Sequence, residues 1–326
     1  MTLFYLLTNE GTYIHIADAL LSPVVGSAMC MVSTAAIAYS VAKVKRDDLC
    51  EKKVPMMGVM GAFVFAVQML NFTIPATGSS GHLSGGILLA AMIGSAPALL
   101  SMSAILVIQC LFFADGGLLA LGCNIFNMGV VPCLIIYPLI FKPFIKKGIT
   151  PGRLTVASIS AAIIALQIGA FCVVLETLAS GMVELSFYSF VLLMQPIHLA
   201  IGVAEGIATA AILCFVHKMR PEVIENSPNN AAIAVFGIAA LLAAGALSVF
   251  ASSNPDGLEW ALEKVAAAIN LEEIEPIKTA FMPDYNFKNE EAFGTSVAGI
   301  LGGILTFLLA ILTAFVISAV KKRKFS

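Results

Sequence analysis

His82 stands in the run Gly78-Ser79-Ser80-Gly81-His82-Leu83-Ser84-Gly85-Gly86, which carries no charged residue and leads directly into an apolar segment. Of the other three histidines, His15 also lies just ahead of a hydrophobic span. Imidazole is the commonest metal-binding side chain, so two of them on one side of a membrane supply half of a four-coordinate site. Asp18 lies one helical turn beyond His15, placed either to ligate an ion or to accept a hydrogen bond that orients the ring. The same residues also admit a reading without metal, in which His82 caps a helix through loop carbonyls and His15 is solvated.

Two further pairs sit inside apolar stretches. Asn124 and Asn127 are three residues apart and therefore share a helical face. Buried amides need partners, so this pair either orders nearby loops and a ligand or holds helices together. His198 and Glu205 lie seven apart, on one face and two turns from each other. An ionisable group inside a membrane marks a candidate functional site. A neutral imidazole and a hydrogen-bonded carboxyl also lock neighbouring helices, and that structural, helix-packing role is the one assigned to them here. His217, beside Lys218, reads as interfacial. The seven cysteines have no CxxC spacing, which leaves them as small packing residues.

The elements that must position these groups are membrane spans. The 326 residues are 59% hydrophobic and 12% charged, with a mean hydropathy of +0.96, whereas soluble domains are about a quarter charged. The fold class is therefore an all-α integral membrane protein. A net charge of −2 gives no reason to expect nucleic acid; the bilayer is the expected surrounding. Residues 1–13 lack the basic start and long apolar core of a secretory signal. Apolar runs cover 22–44, 54–71, 83–95, 97–114, 117–141, 153–177, 187–217, 231–251 and 295–320, giving nine candidate helices. The third is short for a crossing and is expected to be tilted, broken or re-entrant, which requires burial in protein or a cavity lining.

Lysine and arginine cluster at 43–53, 142–153, 218–220 and 321–324, and all four groups are expected on the cytoplasmic side. The connections at 78–81, 115–117 and 176–186 have neither residue and are expected to face outward. If the third segment crosses, the N-terminus lies outside with the loop before His82, and the C-terminus lies in the cytoplasm. The polar, two-proline stretch 221–230 reads as a linker. It divides a seven-span core, residues 14–220 behind an extension at 1–13, from a two-span accessory module at 231–326. Between the last two spans runs a Glu- and Asp-rich loop from Ser252 to Ala292, with an amphipathic pattern over Glu259–Ile269.

Absences narrow the function. No Gly-Lys-Ser/Thr phosphate loop, HExxH pair, arginine-rich voltage sensor or Thr-Val-Gly-Tyr-Gly filter occurs. The expectation is a transporter subunit without its own ATPase site, not an enzyme, and without a resident cofactor. Uphill movement then draws on partner subunits or an ion gradient.

Five motifs in order carry a resemblance. Ile14-His15-Ile16-Ala17-Asp18-Ala19-Leu20-Leu21-Ser22-Pro23, Gly81-His82-Leu83-Ser84-Gly85-Gly86, Phe112-Phe113-Ala114-Asp115-Gly116-Gly117, Asn124-Ile125-Phe126-Asn127-Met128-Gly129 and His198-Leu199-Ala200-Ile201-Gly202-Val203-Ala204-Glu205 resemble the cobalt/nickel substrate-binding membrane subunits of energy-coupling-factor transporters. Asn254-Pro255-Asp256-Gly257-Leu258-Glu259 resembles the PDGLE signature of their accessory subunit, here fused to the core. The resemblance implies capture of Ni(II) or Co(II) outside and delivery inward, with a separate transmembrane coupling subunit and cytoplasmic ATPases as partners. It implies a nearly planar nitrogen site built from the terminal amine of residue 14, the amide and imidazole of His15, and His82. Planar nitrogen coordination suits Ni(II). Asn124, Asn127 and Asp18 are implied as supports of that site. The family begins Met-His, whereas here Ile14 holds the methionine position and thirteen residues precede it. A free amine at Ile14 requires cleavage after Tyr13 or initiation at residue 14, and the mature chain is expected to start there. Ala19 stands where the family usually has glycine.

Overall fold

The structure, a computed structural model, describes residues 18–46, 50–182, 186–219, 230–247, 252, 254–268, 280–282, 285 and 291–324. Ile14 and His15, the 221–229 stretch and, within the loop from Ser252 to Ala292, residues 253, 269–279, 283–284 and 286–290 fall outside the described residues.

A single helical turn at Asp18–Leu20 leads into α1 (Pro23–Arg46), whose last turn carries Lys43, Lys45 and Arg46. Helix α2 covers Cys50–Gln68. Next comes a feature the hydropathy pattern does not announce, a small antiparallel hairpin of β1 (Phe72–Ile74) and β2 (Ser79–Gly81). Its register pairs Phe72 with Gly81 and Ile74 with Ser79. Ala76 (φ 64°) and Gly78 (φ 75°) take left-handed conformations in the connecting turn.

Helix α3 (Gly86–Ile93) has eight residues, about 12 Å at 1.5 Å per residue. That is less than half of the roughly 30 Å hydrocarbon core. Gly94, at φ 90° and ψ 161°, breaks the chain between α3 and α4 (Ser95–Phe113). The seven-plus-two count thus depends on a broken third segment, buried along its whole length. Helix α5 spans Leu121–Ile145 and is wound in the wide π form over Phe126–Phe141. Pro132 and Pro138 lie in that stretch, and each withdraws a backbone donor from the ladder.

Helix α6 (Pro151–Ser180) starts with proline in its first turn behind Thr150, whose hydroxyl accepts from the Arg153 amide at 3.3 Å. Helix α7 runs Phe187–Met219. The two lie close because a Cβ at Gly206 would come 2.6 Å from Ile159 Cα, and one at Gly202 3.0 Å from Ile163 Cα. Glycine permits such backbone approach within a membrane. Helix α8 (Ala231–Leu247), the amphipathic α9 (Gly257–Ala268) and α10 (Glu291–Lys324) form the accessory module. Six described helices are long and apolar enough to cross a membrane, and the apolar parts of α2 and α8 are shorter.

The main core packs Met57, Met60, Val64, Phe65, Leu89, Leu99 and Phe113 between α2, α3, α4 and α5. A second cluster gathers Leu20, Leu21, Ala120, Cys123, Val174, Phe190, Leu258 and Ala261, uniting the segment before α1 with α9. Hydrogen bonds join the accessory module to the core beside the hairpin and at the end of α4. Ser80 donates its amide to Pro255 O at 2.7 Å and its hydroxyl to Asn254 O at 2.7 Å, while Trp260 Nε1 donates to Thr77 O at 3.0 Å. At the end of α4, Met282 N donates to Phe112 O at 2.9 Å, the Tyr285 hydroxyl donates to Asp115 Oδ2 at 2.5 Å, and the rings of Phe113 and Tyr285 stack at 4.7 Å.

Candidate functional site

The half-buried His82 follows β2 directly, so the hairpin sets its position. Gly81 lies against α7, where a Cβ would come 2.5 Å from Ile201 Cγ1. Beyond His82, the backbone turns through Gly85 at φ 75° into α3. Glu205 fastens this turn. Its carboxylate accepts from the Ser84 amide at 2.8 Å, the Ser84 hydroxyl at 2.8 Å and the Gly85 amide at 3.1 Å. From the other side, Gln68 Nε2 donates to Ser84 O at 2.8 Å, and Gln109 Nε2 donates to Gln68 Oε1 at 2.9 Å. Glu205 is 1% exposed. A charge buried that far needs multiple donors, and the loop provides them.

His82, Ser84, Asn124, Asn127, His198 and Asp256 line one cavity of about 90 Å³, whose walls are otherwise mainly apolar side chains of α5, α6 and α7. Asn127 Nδ2 donates to Glu176 Oε2 at 2.8 Å. That bond fixes which way the amide points. Among the described residues Asn127 Oδ1 is buried without a hydrogen-bond partner, and the Cys123 thiol lies beside the Glu176 carboxyl. Across from Asn127, a Cβ at Gly169 would come 3.3 Å from the Asn127 carbonyl oxygen, so α5 and α6 approach closely here. His198 Nδ1 is 2.8 Å from Met194 O. Asp256 Oδ1 accepts from the Glu259 amide at 2.8 Å, capping α9 while the residue borders the cavity.

Asp18 acts elsewhere. Its Oδ1 accepts from the Ala120 amide at 2.8 Å, and Gly117, at φ 75°, fits against the carboxyl with no room for a side chain. The turn at Asp18–Leu20 is thereby tied to the segment entering α5. Ser33 Oγ donates to Gly122 O at 2.6 Å, adding α1 to the same junction.

The structure thus brings His82, Asn124, Asn127 and His198 to one cavity and places Glu205 behind the His82 loop. Asp18 holds a neighbouring junction, while Ile14 and His15 lie outside the described residues. Among the described residues no three His, Cys, Asp or Glu side chains form a ready-made metal cluster. The sequence pattern puts Glu176 at the start of an outward loop and gives it no role. It is a helical residue, 7% exposed, within α6. A lone carboxylate flanked by apolar residues in Val173-Val174-Leu175-Glu176-Thr177-Leu178 was the available signal. Gln68, Gln109 and the burial of Asp256 were missed as well.

Residues 15–223 match the family described as the cobalt uptake substrate-specific transmembrane region. The chain belongs to this family. Residues 230–319 of the same family member match the PDGLE domain. A relative from Archaeoglobus fulgidus, provisionally named a fused nickel transport protein, is 31% identical over 296 residues, covering 90% of this chain and 96% of its own. The cobalt transport protein CbiM of Geobacter sulfurreducens is 27% identical over 295 residues, covering 83% of each. A crystal structure of a transition metal transporter superposes with a TM-score of 0.55 at 26% identity, covering 65% of this chain and 96% of that one.

Proposed function

We propose that this protein is the membrane subunit that captures Ni(II) or Co(II) for import, working with a separate transmembrane coupling subunit and cytoplasmic ATPases. The observation that carries the reading is the cavity that takes His82 from a loop held by Glu205 and sets the amides of Asn124 and Asn127 beside it. Preorganised nitrogen donors with fixed supports are what selective capture of a borderline transition metal requires. Membership of the cobalt uptake family and the nickel and cobalt transport names of the relatives agree with it.

In this reading His82 and His15 are ligands, and the amine of Ile14 completes the nitrogen set once residues 1–13 are removed. Asp18 anchors the turn that follows His15 through its bond from the Ala120 amide. Asn124 and Asn127 support the site from α5. The accessory module, bound to the hairpin that precedes His82, keeps the capture loop in place while metal enters. The hairpin faces outward from the cytoplasmic membrane, and the four basic groups lie in the cytoplasm. Release inward draws on the ATPases through the coupling subunit, since the chain has no phosphate loop. The imported metal then supplies nickel enzymes or cobalamin synthesis.

Metal content of the purified protein by mass spectrometry, with its N-terminal residue sequenced on the same sample, tests this reading. Stoichiometric nickel or cobalt on a chain starting at Ile14, lost in His82→Ala, is the expected result. An intact Met1 with no bound metal overturns it.

A further inference from the structure

The cavity contains a second imidazole that capture by His15 and His82 leaves unused. His198 lines the same space as His82, and its Nδ1 is 2.8 Å from Met194 O, one helical turn back. A carbonyl oxygen can only accept, so Nδ1 carries the proton and Nε2 holds the lone pair. Metal-binding histidines are prepared in the same manner, with the non-ligating nitrogen bonded to a carbonyl or carboxylate.

Register ties this ring to the capture loop. Positions 198, 201 and 205 share one face of α7. Ile201 is the residue against which Gly81 packs, and Glu205 fastens Ser84 and Gly85. One helical face therefore presents His198 and also sets the loop that presents His82. The accessory module reaches the same ring. A Cβ on Gly257 would stand 3.1 Å from His198 Cε1, the carbon between the two ring nitrogens. Asp256, the residue before it, borders the cavity.

We propose that His198 Nε2 is a transient ligand that receives the metal ion as it leaves His82, with the Asp256-Gly257 turn of the accessory module lying over the ring edge. The inference rests on the capture reading above. In the exchange, one metal–nitrogen bond to His82 breaks as the Nε2 lone pair of His198 forms another. The metal keeps its oxidation state, and no proton moves, because Nε2 is already bare. A site on a conduction path must bind weakly enough to let go.

The test uses the full chain expressed with its transporter partners, comparing the unsubstituted protein with His198→Gln and His198→Ala. Radioactive nickel uptake by cells and metal bound to the purified subunit are both measured. Glutamine keeps an N–H for Met194 O and much of the ring's volume but offers no imidazole nitrogen. The expected result is bound metal at the unsubstituted level in both variants, with uptake reduced about tenfold or more. Uptake restored in His198→Gln would show that the hydrogen bond to Met194 is the whole role, overturning the inference. Loss of bound metal together with uptake would make His198 a support of the capture site, which also overturns it. If the unsubstituted protein binds no metal, the capture reading fails and takes the inference with it. Binding and uptake unchanged in both variants sink the inference alone.

Discussion

Two cavities among the described residues are of opposite character. One lies between α2, α8 and α10, has a volume of about 160 Å³ and is bordered only by apolar residues, among them Val59, Ala62, Ala66, Ala240, Gly303 and Phe307. The other, beside the hairpin, is smaller at about 90 Å³ yet gathers two imidazoles, two amides and a carboxylate. Room alone therefore does not mark a site. An apolar void of this kind stays dry, and nothing on its wall can replace the hydration shell of an ion. Around the hairpin cavity, polar groups are held by further polar groups: the His82 loop by Glu205, Asn127 by Glu176, His198 by Met194 O. The chain concentrates its polar bonding where it must hold a shape, and at the apolar cavity leaves the contact of α2 with α8 and α10 to shape.

That contrast is most severely tested at Glu205. Glu205→Ala removes the acceptor for three donors, the Ser84 amide and hydroxyl and the Gly85 amide. Leaving such groups unpaired in a buried loop is expected to cost about 3–5 kcal/mol, read as a lower melting temperature in detergent. Metal content should fall about tenfold or more, because the loop that carries His82 loses its fixed form. A variant with normal metal content would show that the loop needs no polar fastening. The next largest effect lies at the apolar contact. A Cβ on Gly302 would meet the ring of Phe65 at 2.0 Å, and that ring is fully buried. Gly302→Ala is expected to cost about 1–3 kcal/mol by overpacking while leaving the metal content of the core unchanged. Metal lost in this variant would mean that the two regions are coupled more tightly than their chemistry implies.

Much of this design is legible in the sequence. Continuous apolar runs predicted α1 at 22–44, found at Pro23–Arg46, and α6 at 153–177, found at Pro151–Ser180, because the bilayer admits few alternatives to a helix. His82, Asn124, Asn127, His198 and Glu205 stood out by type, since polar groups are costly in apolar surroundings. Their partners did not. Ser84 is 121 residues from Glu205 in sequence, and no local pattern announces a bond of that separation. The hairpin was hidden because strands of three residues are too short for alternation to register. Glu176 was misplaced because the serine and glycine that follow it resemble a loop, although α6 continues to Ser180 and caps at Gly181 with φ 61°.

A smaller effect is expected where the accessory loop meets α4. Tyr285→Phe deletes the hydroxyl that donates to Asp115 but keeps the ring stacked on Phe113. A loss of about 1 kcal/mol is expected, with faster proteolysis between α9 and α10 as the sensitive readout. Cleavage at the unsubstituted rate would show that the ring stack alone holds this part of the loop.

The smallest effect sharpens the comparison most, because it repeats the Gly302 substitution where there is space. A Cβ built on Gly237, which borders the apolar cavity, meets nothing within 4 Å. The new methyl therefore enters a void instead of a ring. Gly237→Ala also removes backbone freedom that glycine loses on folding, a gain of roughly 0.5–1 kcal/mol in water. In a bilayer the reference state is already helical, so the gain comes chiefly from new contacts and is expected to be at most about 0.5 kcal/mol. The melting temperature should rise slightly and metal content should not change. A clear destabilisation would mean that the cavity is occupied in the membrane, by a lipid chain or a partner's side chain, and that its empty apolar wall is half of an interface.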